Sequence, residues 1–299
     1  MGYLFLSFSV LSGAVKGFFG KKVGDGTPSI KSAVFSNLIR MLFCIAFGFV
    51  FVLIDAGVGA LAVSLPVLLL SAIAAASTCV FIISWLLAVR NSAYMSVDAF
   101  ISFGVLVPII FSFFLYGEQV KTSQLIGLLL LFASVIAMSV YSNQIKNKLS
   151  IGALLLLLTV GISNGVTDFS QKVFVNAFEG VPASVFNFYI YLFSAIILTV
   201  LFFILPKSKD SSDTSALSDK RRIIYIAIMA FALFLCSYFK TLAAKTLGAV
   251  ELYPLSQGSA LILSLLMSVF FFKEKMKPIS AIGISILFVG LLFINVFSF

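Results

Sequence analysis

Long apolar runs alternate with short polar breaks from one end of the chain to the other. The first five runs cover about 3–20, 32–54, 66–88, 93–116 and 121–141. The second five cover about 150–174, 183–205, 223–245, 249–272 and 277–297. A helix needs roughly 20 apolar residues to cross a bilayer. The pattern therefore predicts ten transmembrane helices with short connections. Lys207–Arg222 is the one long polar stretch, and its Ser, Asp and Lys content reads as a solvated loop.

The breaks repeat as well as the runs. Phe113-Phe-Leu-Tyr-Gly-Glu118-Gln-Val-Lys121 leads into Leu125-Ile-Gly127, and Val269-Phe-Phe-Phe-Lys-Glu274-Lys-Met-Lys277 leads into Ala281-Ile-Gly283. From Glu118 to Glu274 the shift is 156 positions, and Lys121/Lys277 and Gly127/Gly283 keep it without a gap. Matching Leu or Phe between two apolar segments means little; Glu, Lys and Gly in register mean more. Residues 1–145 and 146–299 are thus read as two copies of one unit of five helices. An odd number of spans turns the second copy over relative to the first. The expected fold is an all-α integral membrane protein, ten transmembrane helices as two inverted five-helix repeats around a central cavity.

Composition agrees with that class. The chain is 61% hydrophobic and 10% charged, with 34 Phe in 299 residues, too little polar surface for a soluble domain. A net charge of +9 would suggest nucleic acid in a soluble protein. Here it reads as loop Lys and Arg that fix orientation, and no nucleic acid partner is expected. Basic residues concentrate in loops 1–2, 3–4, 5–6, 7–8 and 9–10, which by the positive-inside rule puts both termini outside. Residues 3–15 carry neither a basic leader nor a small-residue cleavage site, so they read as the start of a retained span. Cys44, Cys79 and Cys236 all fall inside spans and read as apolar filler. The sequence has no His, which excludes His-based proton relays, metal sites and nucleophilic triads. No phosphate-binding or zinc-protease motif is present either, so neither enzyme activity nor a cofactor is expected.

At the repeated Glu and Gly unit the sequence resembles the drug/metabolite transporter superfamily, in its ten-span EamA-like branch. Asn37-Leu-Ile-Arg40 in span 2, the span 3–4 and 8–9 junctions and Pro254 extend the resemblance over the whole chain. The resemblance implies a basket of helices with a cavity lined by spans 1, 3, 4, 6, 8 and 9, and spans 5 and 10 set apart. It also implies cytoplasmic termini, opposite to the charge count, and a bacterial inner or plasma membrane.

Ionisable groups within spans cost about 2.5–3.5 kcal/mol on insertion scales, so each needs a reason. Lys16, between Gly13 and Gly17, reads as an anchor for a carboxylate or phosphate, or as an ion-pair partner of Asp98 or Asp168. Asp98 reads as a site for an amine or a coupling proton. Asn164, Asp168 and Gln171 form an i, i+4, i+7 stripe that must face protein or water. Lys240, near the end of span 8, reads as snorkelling to the interface, with a cavity role as the alternative. Trp85, Tyr94, Tyr238 and Tyr253 fit an aromatic belt as well as a ligand box, and Trp85, Tyr253 and Gln257 are taken as candidate substrate-binding residues. Arg40 reads as structural. Glu118 and Glu274 read as caps for the helices that follow them.

Mixed charges in the expected cavity favour a small polar or amphoteric, amino-acid-like metabolite moved by alternating access. The alternatives are a proton-coupled exporter of cationic or aromatic compounds, and a non-transporting receptor or assembly protein. The expected partners are a small-molecule substrate and the lipid bilayer, with room for protons as the coupling ion and for a homodimer.

Overall fold

The computed structural model describes residues 1–24, 29–91, 94–142, 151–206, 220–271 and 278–295. Glu274 and the stretches 143–150 and 207–219 lie outside the described residues. Among the described residues every regular element is helical. In chain order these are α1 (Gly2–Gly24), α2 (Ile30–Asp55), a 3-10 turn (Val58–Leu61), α3 (Leu65–Asn91), α4 (Tyr94–Phe103) and α5 (Leu106–Tyr116). They continue with α6 (Thr122–Ser142), α7 (Ile151–Ala177), α8 (Ala183–Ile204), α9 (Lys220–Ala244), α10 (Ala249–Phe270) and α11 (Pro278–Asn295). Among the described residues seven helices are long and apolar enough to cross a membrane: α1, α2, α3, α7, α8, α9 and α10. Three shorter apolar stretches, Phe100–Tyr116, Thr122–Ser134 and Ser285–Ile294, accompany them. The protein is an all-helical, multi-pass membrane protein.

Short polar residues and glycines set the helix ends. Ser29 caps α2, its side chain accepting from the Ser32 backbone N–H at 3.1 Å. Gly117 ends α5 with φ +64°, a left-handed conformation that costs little only for glycine. Its N–H donates to the Phe113 carbonyl at 3.2 Å.

The run expected as a single fourth helix is two. The break falls at Gly104–Val105, between α4 and α5. Pro108 has no N–H to offer the Gly104 carbonyl four residues earlier, so the chain tightens and Val107 N–H donates to that carbonyl at 3.1 Å. Gly104 also lies against the backbone of Gly161 and Gly165 on α7, where a Cβ on any of the three would collide with main-chain atoms. Small residues allow this approach, which is how helices associate where lipid supplies no hydrophobic drive.

In the bundle α1 lies along α9 and α7 along α3, while α2 packs on α8 and α6 on α11. Most buried apolar side chains join one cluster, with Phe174 stacked on Phe186 at 4.1 Å between centroids. Leu131, Leu261, Leu287 and Leu291 form a smaller cluster around the α6–α11 pair. Gly127 and Gly290 bring those two backbones together, each facing the other's carbonyl.

Candidate functional site

Five helices turn polar faces with helical spacing toward one interior region. On α7 these are Asn164, Thr167, Asp168 and Gln171; on α9, Cys236 and Lys240; on α10, Ser256, Gln257 and Ser264. On α1 they are Ser9 and Lys16, while α3 adds Thr78, Phe81 and Trp85 at i, i+3 and i+7. These groups enclose two adjoining cavities, and Ile101 of α4 completes the wall of the first. One cavity of about 70 Å³ is lined by Lys16, Trp85, Asn164, Lys240 and Gln257, among others. The other, about 40 Å³, holds Lys16, Asn164, Asp168, Gln171 and Lys240. Such volumes admit a few waters or a small polar group and are polar enough to keep them.

Asp168 is the hub. Its Oδ1 lies 2.9 Å from Lys240 Nζ, with the side chains 3% and 10% exposed. Asn164 Nδ2 donates to Oδ2 at 3.2 Å. Tyr253 OH donates to the Asp168 backbone carbonyl at 2.7 Å, tying α10 to α7. The cation that meets Asp168 is therefore Lys240 and not Lys16.

Lys240 does not snorkel. It stands one turn from the end of α9, but that end is covered by the link into α10, and its ammonium turns inward to Asp168. Trp85 and Tyr253 are interior residues and not part of a surface belt: Trp85 is 4% exposed, Tyr253 0%. Gly20 of α1 makes room for the Trp85 ring, since a Cβ there would strike it. Lys16 is half-buried, its Nζ 5.8 Å from the centroid of Phe81. Gln171 is buried with no hydrogen-bond partner for its Oε1, and Gln257 is buried on the outer cavity wall. Asp98 falls on α4, but its side chain, like that of Tyr94, lies outside the described residues. Lys16, Trp85, Asn164, Asp168, Gln171, Lys240 and Gln257 are thus brought together; Tyr253 supports Asp168 from behind.

Glu118 is a cap, but for another helix than the one that follows it. Its Oε2 accepts from the Ala249 backbone N–H at 2.6 Å, at the start of α10. Its Oε1 pairs with Lys172 of α7 at 2.9 Å, and Lys172 Nζ also donates to the Leu247 carbonyl at 3.2 Å. The start of α6 is served by Gln124, whose Oε1 accepts from the Lys121 N–H at 3.0 Å in a capping-box arrangement. At the same end of the bundle, Asp55 accepts from Ser184 Oγ at 2.8 Å and from Tyr238 OH at 3.1 Å. Arg40 is buried, as a structural residue would be. Its Nη1 is 3.7 Å from Met229 Sδ, and its Nε and Nη2 have no acceptor.

Nothing in the pattern of apolar and polar positions singles out Lys172, Asp55, Ser9, Thr78 or Ser256. One signal was present for Lys172: it follows Lys16 by the repeat shift of 156. The small hydroxyl residues carry none, because Ser and Thr inside apolar helices bond their own backbone as readily as a ligand.

Comparison with known proteins bears on the fold and the family. A solved crystal structure shares the fold over 97% of this chain and 96% of its own, at 15% identity and a TM-score of 0.71. No curated protein matches in sequence. The family model for the EamA-like transporter family matches residues 151–296. That match bears out the resemblance over residues 151–296, which are similar to the EamA-like transporter family of the drug/metabolite transporter superfamily.

Proposed function

We propose that the protein is a secondary transporter of a small amphoteric metabolite, amino-acid-like in charge, working by alternating access between two inverted five-helix halves, 1–145 and 146–299. The observation that carries this reading is the Lys240–Asp168 pair, buried at a cavity that also presents Lys16, Asn164 and Gln257. An ion pair in an apolar bundle is costly to desolvate, and removing one partner leaves a bare charge. A ligand with both charges can replace each partner for the other, its ammonium meeting Asp168 and its carboxylate meeting Lys240 or Lys16. A purely cationic compound would leave Lys240 without an anion.

The helix pairing supports the two-unit reading. α1 on α9 and α7 on α3 are the same contact with the halves exchanged, and α2–α8 and α6–α11 each join like elements. In that arrangement α4 and α5 together make one span, which gives ten. The substrate-facing set is Lys16, Trp85, Asn164, Asp168, Gln171, Lys240 and Gln257, with Tyr253 holding Asp168 in place.

Thermal unfolding of purified protein with zwitterionic amino acids, monocarboxylates, nucleosides and quaternary amines tests the proposal. Zwitterions should raise the melting temperature, and Asp168→Asn should remove the rise. Uptake of the hits into proteoliposomes then follows. A shift with quaternary amines alone would overturn the amphoteric reading in favour of a cation exporter. No shift and no flux with any compound would overturn transport of these classes.

A further inference from the structure

The Glu118 contact does more than cap a helix. Both carboxylate oxygens are engaged, one by Lys172 and one by the first N–H of α10, while Lys172 reaches on to the Leu247 carbonyl. Three separated pieces of chain meet there: the turn after α5, the last turns of α7, and the link from α9 into α10. The start of α1 closes on the same link, since Gly2 sits against Thr246 and Leu247. Lys172 is 6% exposed, while the Glu118 side chain keeps 21% of its surface exposed near the helix ends. Between this clasp and the cavities stands Tyr253, fully buried, its hydroxyl on the Asp168 carbonyl. From Lys240 and Gln257 the cavity lining runs the other way, toward Gly17, Trp85 and Ser264. The site is shut at the clasp end.

The repeat shift gives this closure a counterpart. Lys172 follows Lys16 by 156 positions, and Phe174 follows Phe18 by the same amount. These two lysines hold the same place in the two units, yet Lys16 lines both cavities and Lys172 is locked in the clasp. Inverted units exchange environments when access alternates.

We propose that the Glu118–Lys172 clasp is the gate at this end of the site, and that its opening turns Lys172 into a cavity-lining cation, the position Lys16 holds now. The inference rests on the alternating-access reading above. Opening breaks the ion pair, the bond to Ala249 N–H and the bond to the Leu247 carbonyl, so α7 and α10 are released together. Lys172 then offers a ligand carboxylate a second anchor on its way out or in.

Cys236 is a native reporter, since it lines both cavities while Cys44 and Cys79 are buried. In the full-length protein with Cys44 and Cys79 replaced by alanine, Cys236 is labelled in sealed vesicles with a membrane-impermeant sulfonated maleimide, from each face in turn. Glu118→Gln and Lys172→Gln should each speed labelling from the clasp face by about tenfold or more, the population shift expected on losing one charge-assisted bond. If both variants fold and neither labels faster, the gate is overturned. If Glu118→Gln alone speeds labelling, the Lys172 part of the proposal is overturned. If neither variant yields folded protein, the clasp is a structural staple and not a gate. The assay needs no substrate, so its result stands apart from that of the melting screen.

Discussion

Asp168→Asn is the substitution with the sharpest expected consequence. It keeps the shape of the side chain and removes its charge, leaving Lys240 buried with no anion 2.9 Å away. At that separation and an effective dielectric of about 20, the direct attraction is about 6 kcal/mol. Most of it offsets the cost of taking two ions out of water, so the pair itself contributes little net stability. Breaking it by removing one partner should still cost about 3–5 kcal/mol. Lys240→Met should cost less, about 2–3 kcal/mol, because Asp168 keeps the hydrogen bond from the Asn164 amide. Asp168→Asn with Lys240→Met should return to within about 2 kcal/mol of the parent, since no buried charge then lacks a partner. Unfolding of the four proteins in mixed micelles, closed as a double-mutant cycle, measures the coupling. Additive single costs, to within about 0.5 kcal/mol, would refute the argument that the two charges are held for each other.

Three further outcomes follow from the backbone and from Arg40. Gly161→Ala sets a Cβ 2.5 Å from the Phe100 carbonyl oxygen, so forced separation of α4 from α7 should cost about 1–3 kcal/mol in the same unfolding assay. Gly117→Ala meets no neighbouring atom, so its cost is the left-handed backbone alone, about 1 kcal/mol. A larger loss would show that the turn serves more than the α5 terminus. Arg40→Met removes a buried guanidinium whose Nε and Nη2 have no acceptor, and is expected to be neutral or stabilising; a loss above about 3 kcal/mol would show that Arg40 neutralises a charge.

The apolar runs carried the all-helical, multi-pass architecture, because lipid favours long helices that satisfy their own backbone groups. The Asn164, Asp168 and Gln171 stripe was legible for the same reason: polar groups at i, i+4 and i+7 can have only one destination in a membrane helix. What failed to show depended on contacts between distant parts of the chain. Distance from a helix end made Lys240 look interfacial, yet depth is set by what covers the end, and here the α10 link does. Glu118 looked like the cap of its own following helix because sequence shows only the nearest N-terminus. The free N–H groups it serves belong to α10, 131 residues later, brought there by the fold. The break at Gly104 needed both halves of its cause in view, Pro108 within the run and the bare backbone of α7 across from it.

That break has a mechanical side. Where α4 and α5 cross α7, Gly104, Gly161 and Gly165 bring main chain against main chain, with Val107 packed over Gly165 and Phe111 against Phe169 further along. Interlocked side chains move in steps, one ridge to the next groove; a smooth bearing of peptide groups can turn or slide continuously. On the proposed alternating-access reading, the close backbone approach at Gly104 and Gly161 is where α4 would tilt on α7 while the segment running to Glu118 keeps its hold on α10. In the proposed transport cycle the two segments would then divide the work, one following the ligand and the other keeping the far side shut.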